Sequence, residues 1–184
     1  NPKHNPDKAQ GIARHIVKHL NSPDILMLQE VADNDGYNQA SDVTAADQTL
    51  QFLIQEIVRA GGPVYDFIEI APENGKDGGR PNANIRVAYL YQPARVQRVA
   101  KTAGDATTPV ILDSQGHLNL NPGRIAPDNP AFKEGRKTLA AEFMFQGQHL
   151  ILLNNHLKSK RGDGSLWSAY QPPIFHSEVQ RTKQ

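Results

Sequence analysis

The sequence predicts an α/β sandwich, and three features of the 184-residue chain point there. Two apolar runs, residues 25–30 and 150–155, have the length of buried strands and stop abruptly in polar groups. Stretches with helical spacing feed or flank such runs in the first half of the chain. A hydrophobic content of 38% is enough to bury one sizeable core, so a single domain is expected.

The elements follow in order. Asn5-Pro6-Asp7 combines an N-cap residue with proline at the first helical position, and Ala9, Ile12, Ala13, Ile16 and Leu20 then recur on one face until Asn21-Ser22-Pro23 stops the helix. A strand follows over residues 25–30, closing on Glu30. Thr44 with Asp47 resembles a capping box, and Leu50, Leu53, Ile54, Ile57 and Val58 line one helix face before Gly61-Gly62. Residues 64–70 and 85–91 are strand-like, separated by a loop with Gly75, Gly78 and Gly79. Residues 102–135 are rich in Pro, Gly, Asn and Asp, and are expected to be an insertion over the surface, with 110–112 and 117–120 as short strand candidates. Residues 138–145 and 149–155 form a hairpin around Gln146-Gly147-Gln148. Ser177-Glu178-Val179-Gln180 is a helix start with no room to continue.

Composition narrows the chemistry. Twenty basic against nineteen acidic residues leave a net charge of +1, so affinity for a polyanion must come from local patches. There are no cysteines, which excludes disulfides, thiolate metal sites and a cysteine nucleophile. No apolar run reaches membrane-spanning length, the first residues lack the apolar core of a signal peptide, and nothing calls for an obligatory protein partner.

The polar ends of the strands suggest phosphate chemistry. Leu150-Ile-Leu-Leu-Asn-Asn-His-Leu-Lys-Ser-Lys160 delivers Asn154, Asn155, His156, Lys158 and Ser159 to one sheet edge, while Gln29 and Glu30 end the other run. A carboxylate that holds a hard cation, an imidazole that donates to a non-bridging oxygen and an arginine fork would together offset the charge growing in a phosphodiester transition state. Each residue also has an ordinary reading. A lone Glu at a strand end is usually a solvated rim residue, and His156 alone is more often structural. Lys158, Lys160 and Arg161 read as a solvated loop edge, and Asp33, Asp35 and Asp42 as an acidic turn rather than a calcium site. His4, His15 and His19 lack the intervening Glu of a zinc-protease helix, while Tyr65, Phe67, Tyr89 and Tyr91 are packing residues. Arg86, a charge inside an apolar strand, needs a partner.

Four ordered motifs carry a resemblance: Pro23-Asp-Ile-Leu-Met-Leu-Gln-Glu-Val31, Asn84-Ile-Arg-Val-Ala-Tyr-Leu-Tyr91, Arg136-Lys-Thr-Leu-Ala-Ala-Glu142 and Asn154-Asn-His-Leu-Lys-Ser159. With the loop signatures Asp33-Asn-Asp-Gly36, Asp77-Gly-Gly79 and Pro122-Gly-Arg124, the chain resembles the endonuclease/exonuclease/phosphatase superfamily over nearly its whole length, most closely bacterial extracellular nucleases. The resemblance implies a deoxyribonuclease I-like sandwich of two mixed β-sheets flanked by helices. It also implies Mg2+- or Mn2+-dependent phosphodiester hydrolysis of DNA or RNA, in an extracellular or cell-envelope setting. By residue, it implies Glu30 as metal ligand, His156 and Asn154 as catalytic groups, and Arg86, Asn84, Arg136 and Lys158 as substrate contacts.

Several family features are absent. The sequence lacks the first strand with its asparagine, the later Gly-Asp-x-Asn strand and the final Asp-His pair; Gly162-Asp163-Gly164 is not a substitute. Ala71 also stands where relatives often carry the acid that orients the histidine, leaving Glu69 or Glu73. The chain thus reads as a single partial domain, an internal piece of a larger hydrolase, with a shortened phosphate-binding relative as the other account. Within chemistry, a phospholipid or phosphomonoester hydrolase remains open, as does a non-catalytic phosphate or nucleic-acid-binding module.

Overall fold

The structure, a computed structural model, describes residues 5–36, 41–79, 83–160, 163 and 174–184. Helix α1 (Pro6–Lys18) starts as the sequence predicts, with the Asn5 side chain accepting from the Lys8 amide at 3.0 Å. Ala13 and Ile16 form its buried stripe. Strand β1 (Ile25–Ala32) leads to α2 (Asp47–Arg59), β2 (Asp66–Glu69) and β3 (Ile85–Tyr91). After these come β4 (Val96–Arg98), β5 (Gly123–Arg124), a short 3-10 turn at Pro130–Phe132, β6 (Leu139–Phe145), β7 (Gln148–Asn154) and α3 (His176–Lys183).

Two sheets result. One has the order β1-β3-β2; in the other, β6 pairs with β4 and β5 along one edge and with β7 along its other edge. The sandwich of two sheets with helices is the predicted α/β architecture. Every strand ladder among the described residues is antiparallel, and the parallel component is confined to the isolated bridge between Pro109 and Arg124.

Alternation along β3 divides the core. Ala88 and Leu90 face α1 and α2, in a cluster with Ile16, Leu50 and Ile57. Val87, Tyr89 and Tyr91 face the second sheet, in a cluster with Leu139, Ala141 and Phe143. Tyr89 meets Phe143 edge-on with ring centroids 5.8 Å apart, and its hydroxyl donates to the Leu139 and Leu152 carbonyls that frame it. The tyrosines are therefore packing residues, as expected.

Local expectations are corrected in four places. The Thr44–Asp47 capping box does not form, because α2 opens one residue after Ala46 with no cap from its own segment. Instead Asn34 reaches across the chain: its Oδ1 accepts from the Gln48 and Thr49 amides at 2.9 and 3.3 Å, and its Nδ2 donates to Asp47. Strand β1 does not close on Glu30 but runs on to Ala32. The strand expected over 64–70 is only four residues long. Finally, residues 102–135 are not merely a surface insertion. Leu118, Asn121 and Arg124 are buried, and Asn121 bonds to both the amide and the carbonyl of Glu142, so this segment closes over β6. Strand β4, three residues long and half exposed, gave too short a pattern to be read in advance.

The hairpin forms as predicted, but its turn is only Gln146-Gly147, because Gln148 already pairs with Phe145, and β7 ends at Asn154. Gln146 and Gly147 have φ of 49° and 76°, the two positive values of a type I′ turn that matches the twist of its strands. Its register places Leu139 opposite Asn154 and Phe145 opposite Gln148.

Candidate active site

One side chain explains why two distant motifs meet. Asn154, at the end of β7, accepts from Gln29 Nε2 at 2.8 Å, and its own amide donates to the Leu28 and Ala88 carbonyls at 3.1 and 2.9 Å. The side chain is fully buried and all of these bonds join one sheet to the other. The next residues on each strand, Glu30 and then Asn155-His156, are thereby held at the same edge. Thr138 adds a 2.6 Å bond from its hydroxyl to Asn155 Oδ1.

Glu30 sits in a bulge. The pairing of β1 with β3 shifts register between Leu28 and Val31, and Glu30 has φ of 56°. A non-glycine residue there is strained by about 1–3 kcal/mol, a strain that concentrates where a side chain must be re-aimed. The result is a carboxylate pointing outward, with 70% of its side chain exposed and Oε1 3.6 Å from His156 Nε2.

Arg136, just ahead of β6, supplies the third group. Its Nε donates to His156 Nδ1 at 3.1 Å. A guanidinium only donates, so Nδ1 carries the lone pair and Nε2 carries the hydrogen. Burial, reinforced by the positive charge of Arg136, holds the imidazole below its ordinary value against the opposing pull of Glu30. His156 is thus a neutral donor with its Nε2–H at the open edge. Burial also lowers Arg136, while Glu30 and Asp77 oppose that shift. The three groups together offer an open carboxylate, a directed N–H and a fixed positive charge.

The other predicted residues lie elsewhere. Arg86 is 1% exposed and, by alternation, shares the helix-facing side of β3 with Ala88 and Leu90. Its NH1 donates to Glu69 Oε2 at 3.0 Å and its NH2 to the Asn84 carbonyl at 3.4 Å, while Nε is buried with no partner among the described residues. Glu69 is thus the partner of Arg86 and not of His156. Asn84 accepts from the Gly75 amide and donates to Val43 O and Asn74 Oδ1, tying three loop segments together. Arg86, Asn84 and Asn154 accordingly hold protein groups, whereas Glu30, His156 and Arg136 converge. Lys158 is exposed beyond β7, with its backbone fixed by Gln184 and Arg181. Arg161 and His4 lie outside the described residues.

The loop signatures brace this edge. Asp33 accepts from the Gly36 and Asn84 amides at 2.6 and 2.7 Å, Asp35 accepts from Ser41, and Asp42 accepts from Asn74, which is the acidic-turn reading. Asp77 meets Arg124 at 2.9 Å and Lys137 at 3.2 Å, so two motifs far apart in sequence form one buried ion pair next to Arg136. Gly78 lies where Glu134 crosses: a Cβ there would stand 2.3 Å from the Glu134 carbonyl oxygen.

The residues fit a hard cation in a limited way. Magnesium retains waters and commonly takes one or two carboxylates, a role that the open Glu30 oxygen suits. Among the described residues, Glu30 belongs to no group of three metal-ligating side chains; the one such group is His117, Glu142 and His149. Sequence reasoning missed that group, although the hairpin register would have placed His149, opposite Met144, on the face of Glu142. His15 and His19 merely face each other, with ring centroids 4.9 Å apart.

No protein-family model matches the chain, and no curated protein does. Among solved structures it is similar to a humanized D. rerio TDP2 carrying 14 mutations, at 19% identity and a TM-score of 0.43 over 88% of this chain and 47% of that one. The chain therefore spans about half the length of that structure.

Proposed function

We propose that this chain serves a metal-dependent phosphodiester hydrolase of the endonuclease/exonuclease/phosphatase kind, a nuclease acting on DNA or RNA outside the cell or in its envelope. The observation that carries the reading is the convergence of an outward Glu30 with His156, 3.6 Å away, whose tautomer Arg136 sets. The ordered sequence motifs support it, because they supply these same three residues.

A magnesium or manganese ion on Glu30 would supply charge to the phosphoryl oxygens. His156 donates its Nε2 hydrogen to a non-bridging oxygen, at a position that does not need to reorganise as charge develops. Arg136 keeps that hydrogen on Nε2 and adds a positive charge behind it. Because Nε2 already bears a hydrogen, His156 does not deprotonate the attacking water, and that proton goes to another group. Asn154, Asn84 and Arg86 act as scaffold, fixing the bulge and the loops around the site. Lys158, exposed beside the site, meets the nucleic-acid backbone as a non-specific cation.

The test is cleavage of plasmid DNA and of RNA with Mg2+, with Mn2+ and with chelator, using this chain and a longer chain containing it. We expect metal-dependent cleavage that falls by about a hundredfold to a thousandfold in His156→Ala and is abolished in Glu30→Ala. Turnover of phospholipid or a phosphomonoester in place of nucleic acid would replace the substrate assignment. Salt-sensitive binding with no turnover in either chain would overturn the hydrolase reading.

A further inference from the structure

A second polar cluster lies on the β6–β7 sheet, and the proposed phosphodiesterase chemistry does not use it. Glu142, in the middle of β6, is fully buried. Its Oε1 faces two imidazoles, with His117 Nδ1 at 2.5 Å and His149 Nδ1 at 3.0 Å. Its other oxygen accepts from the Leu118 amide at 3.0 Å. The rings stand with centroids 4.5 Å apart, and the three potential ligand atoms all lie within 4.8 Å of one another.

We infer that His117, Glu142 and His149 form a binding site for a zinc-class transition ion, held by the two Nδ1 atoms and Glu142 Oε1. Imidazole favours zinc and its neighbours over magnesium or calcium, and two histidines with one glutamate leave a fourth position for water. Ligands about 2.0–2.1 Å from a tetrahedral ion lie about 3.3 Å from each other. The two contacts to Oε1 are shorter than that by less than an ångström, so the cluster opens slightly to admit the ion. Each imidazole moves its ring hydrogen from Nδ1 to Nε2, which is possible because both rings are partly exposed. The Leu118 amide leaves Oε1 as the coordinating oxygen, and Asn121 clamps the Glu142 backbone on both sides.

The three ligands come from separate pieces of chain. Glu142 is on β6, His149 is near the start of β7, and His117 follows a turn closed by Asp113, whose side chain accepts from the Gln115 and His117 amides. Bound metal therefore clips the long segment between β4 and β6 onto the sheet. His149 and the candidate active site lie at opposite ends of β7, so this ion is distinct from the one on Glu30.

The experiment is competition for zinc against a chromophoric chelator, together with thermal unfolding in Zn2+, Mg2+ or chelator and the visible spectrum of the Co2+ form. Tight one-to-one zinc binding is expected, with a rise in Tm of about 5–10 °C at free zinc about a hundred times Kd. Tetrahedral cobalt bands are also expected, together with no rise in magnesium. His149→Ala, a change at a half-exposed ring, should weaken zinc at least about a hundredfold while leaving the metal-free Tm nearly unchanged. Glu30→Ala should leave zinc affinity intact, which separates this site from the proposed catalytic one. Zinc binding equal in the parent and in His149→Ala, or none at all, would overturn the inference and leave a hydrogen-bonded cluster only.

Discussion

Asn154 gives the sharpest test of which polar residues build the site and which perform its chemistry. Truncation to alanine removes the bond from Gln29 and the two bonds to the Leu28 and Ala88 carbonyls, all in a fully buried position. At about 1 kcal/mol net for each bond, with two carbonyls left dry, the loss is about 3 kcal/mol. For a chain of this size that lowers Tm by about 6–12 °C. In urea it moves the midpoint by about 1–2 M at unchanged slope. Asn154→Asp should be worse than alanine at neutral pH, because a carboxylate then faces two carbonyl oxygens and only the bond from Gln29 survives. Urea titrations of the three proteins, paired with phosphodiesterase assays, decide the matter. If Asn154→Ala keeps its stability within about 1 kcal/mol of the parent while turnover drops a hundredfold, Asn154 is a catalytic group and the scaffold assignment fails.

Further outcomes follow from the same geometry. Glu69→Ala leaves the buried Arg86 guanidinium without its carboxylate and should cost about 3–5 kcal/mol by urea unfolding, with Glu69→Gln costing less. His156, held below its ordinary value of about 6.5, contributes stability that is complete above that pH. The contribution is lost as pH falls towards the depressed folded value, so parent and His156→Gln stabilities should converge on acidification. NMR titration should show Arg136→Gln raising the His156 pKa, since a lowering charge is gone; an unmoved titration would mean that Arg136 does not set the tautomer. Gly78→Ala, at φ of 72° and against the Glu134 carbonyl, should destabilise by at least about 2 kcal/mol; a neutral effect by calorimetry would contradict that close crossing.

Much of the fold is legible because its elements are locally consistent. The Asn5 cap, the β3 boundaries and the β6–β7 hairpin each follow from spacing and turn chemistry within a few residues. Elements whose partners are remote are not legible. Asn34 caps α2 across an intervening loop, and the two-residue β5 exists only because β6 receives it. The site divides along the same line. Glu30, His156 and Arg136 were readable by motif and do converge, whereas alternation puts Arg86 on the other face of its sheet. Asn154 looks catalytic in sequence because it stands two residues before His156, yet the strand ends there and its amide is turned inward. The Glu142 cluster needs a hairpin register and a loop closure at once, and only the first is written locally.

The Asn34 clamp also bears on how this protein can diversify. Its amide donates to the Ala45 carbonyl at 2.8 Å while its side chain caps α2, so residues 34 and 45 lie side by side. Lengthening a loop whose ends already meet carries only a small, logarithmic entropy cost. Glu30 lies four residues upstream, on the β1 side of that clamp. The described parts of the segment between Asn34 and Ala45 are themselves tied down, Asp35 by Ser41, Asp42 by Asn74 and the Val43 carbonyl by Asn84, so the clamp tolerates added length but not altered composition at those positions.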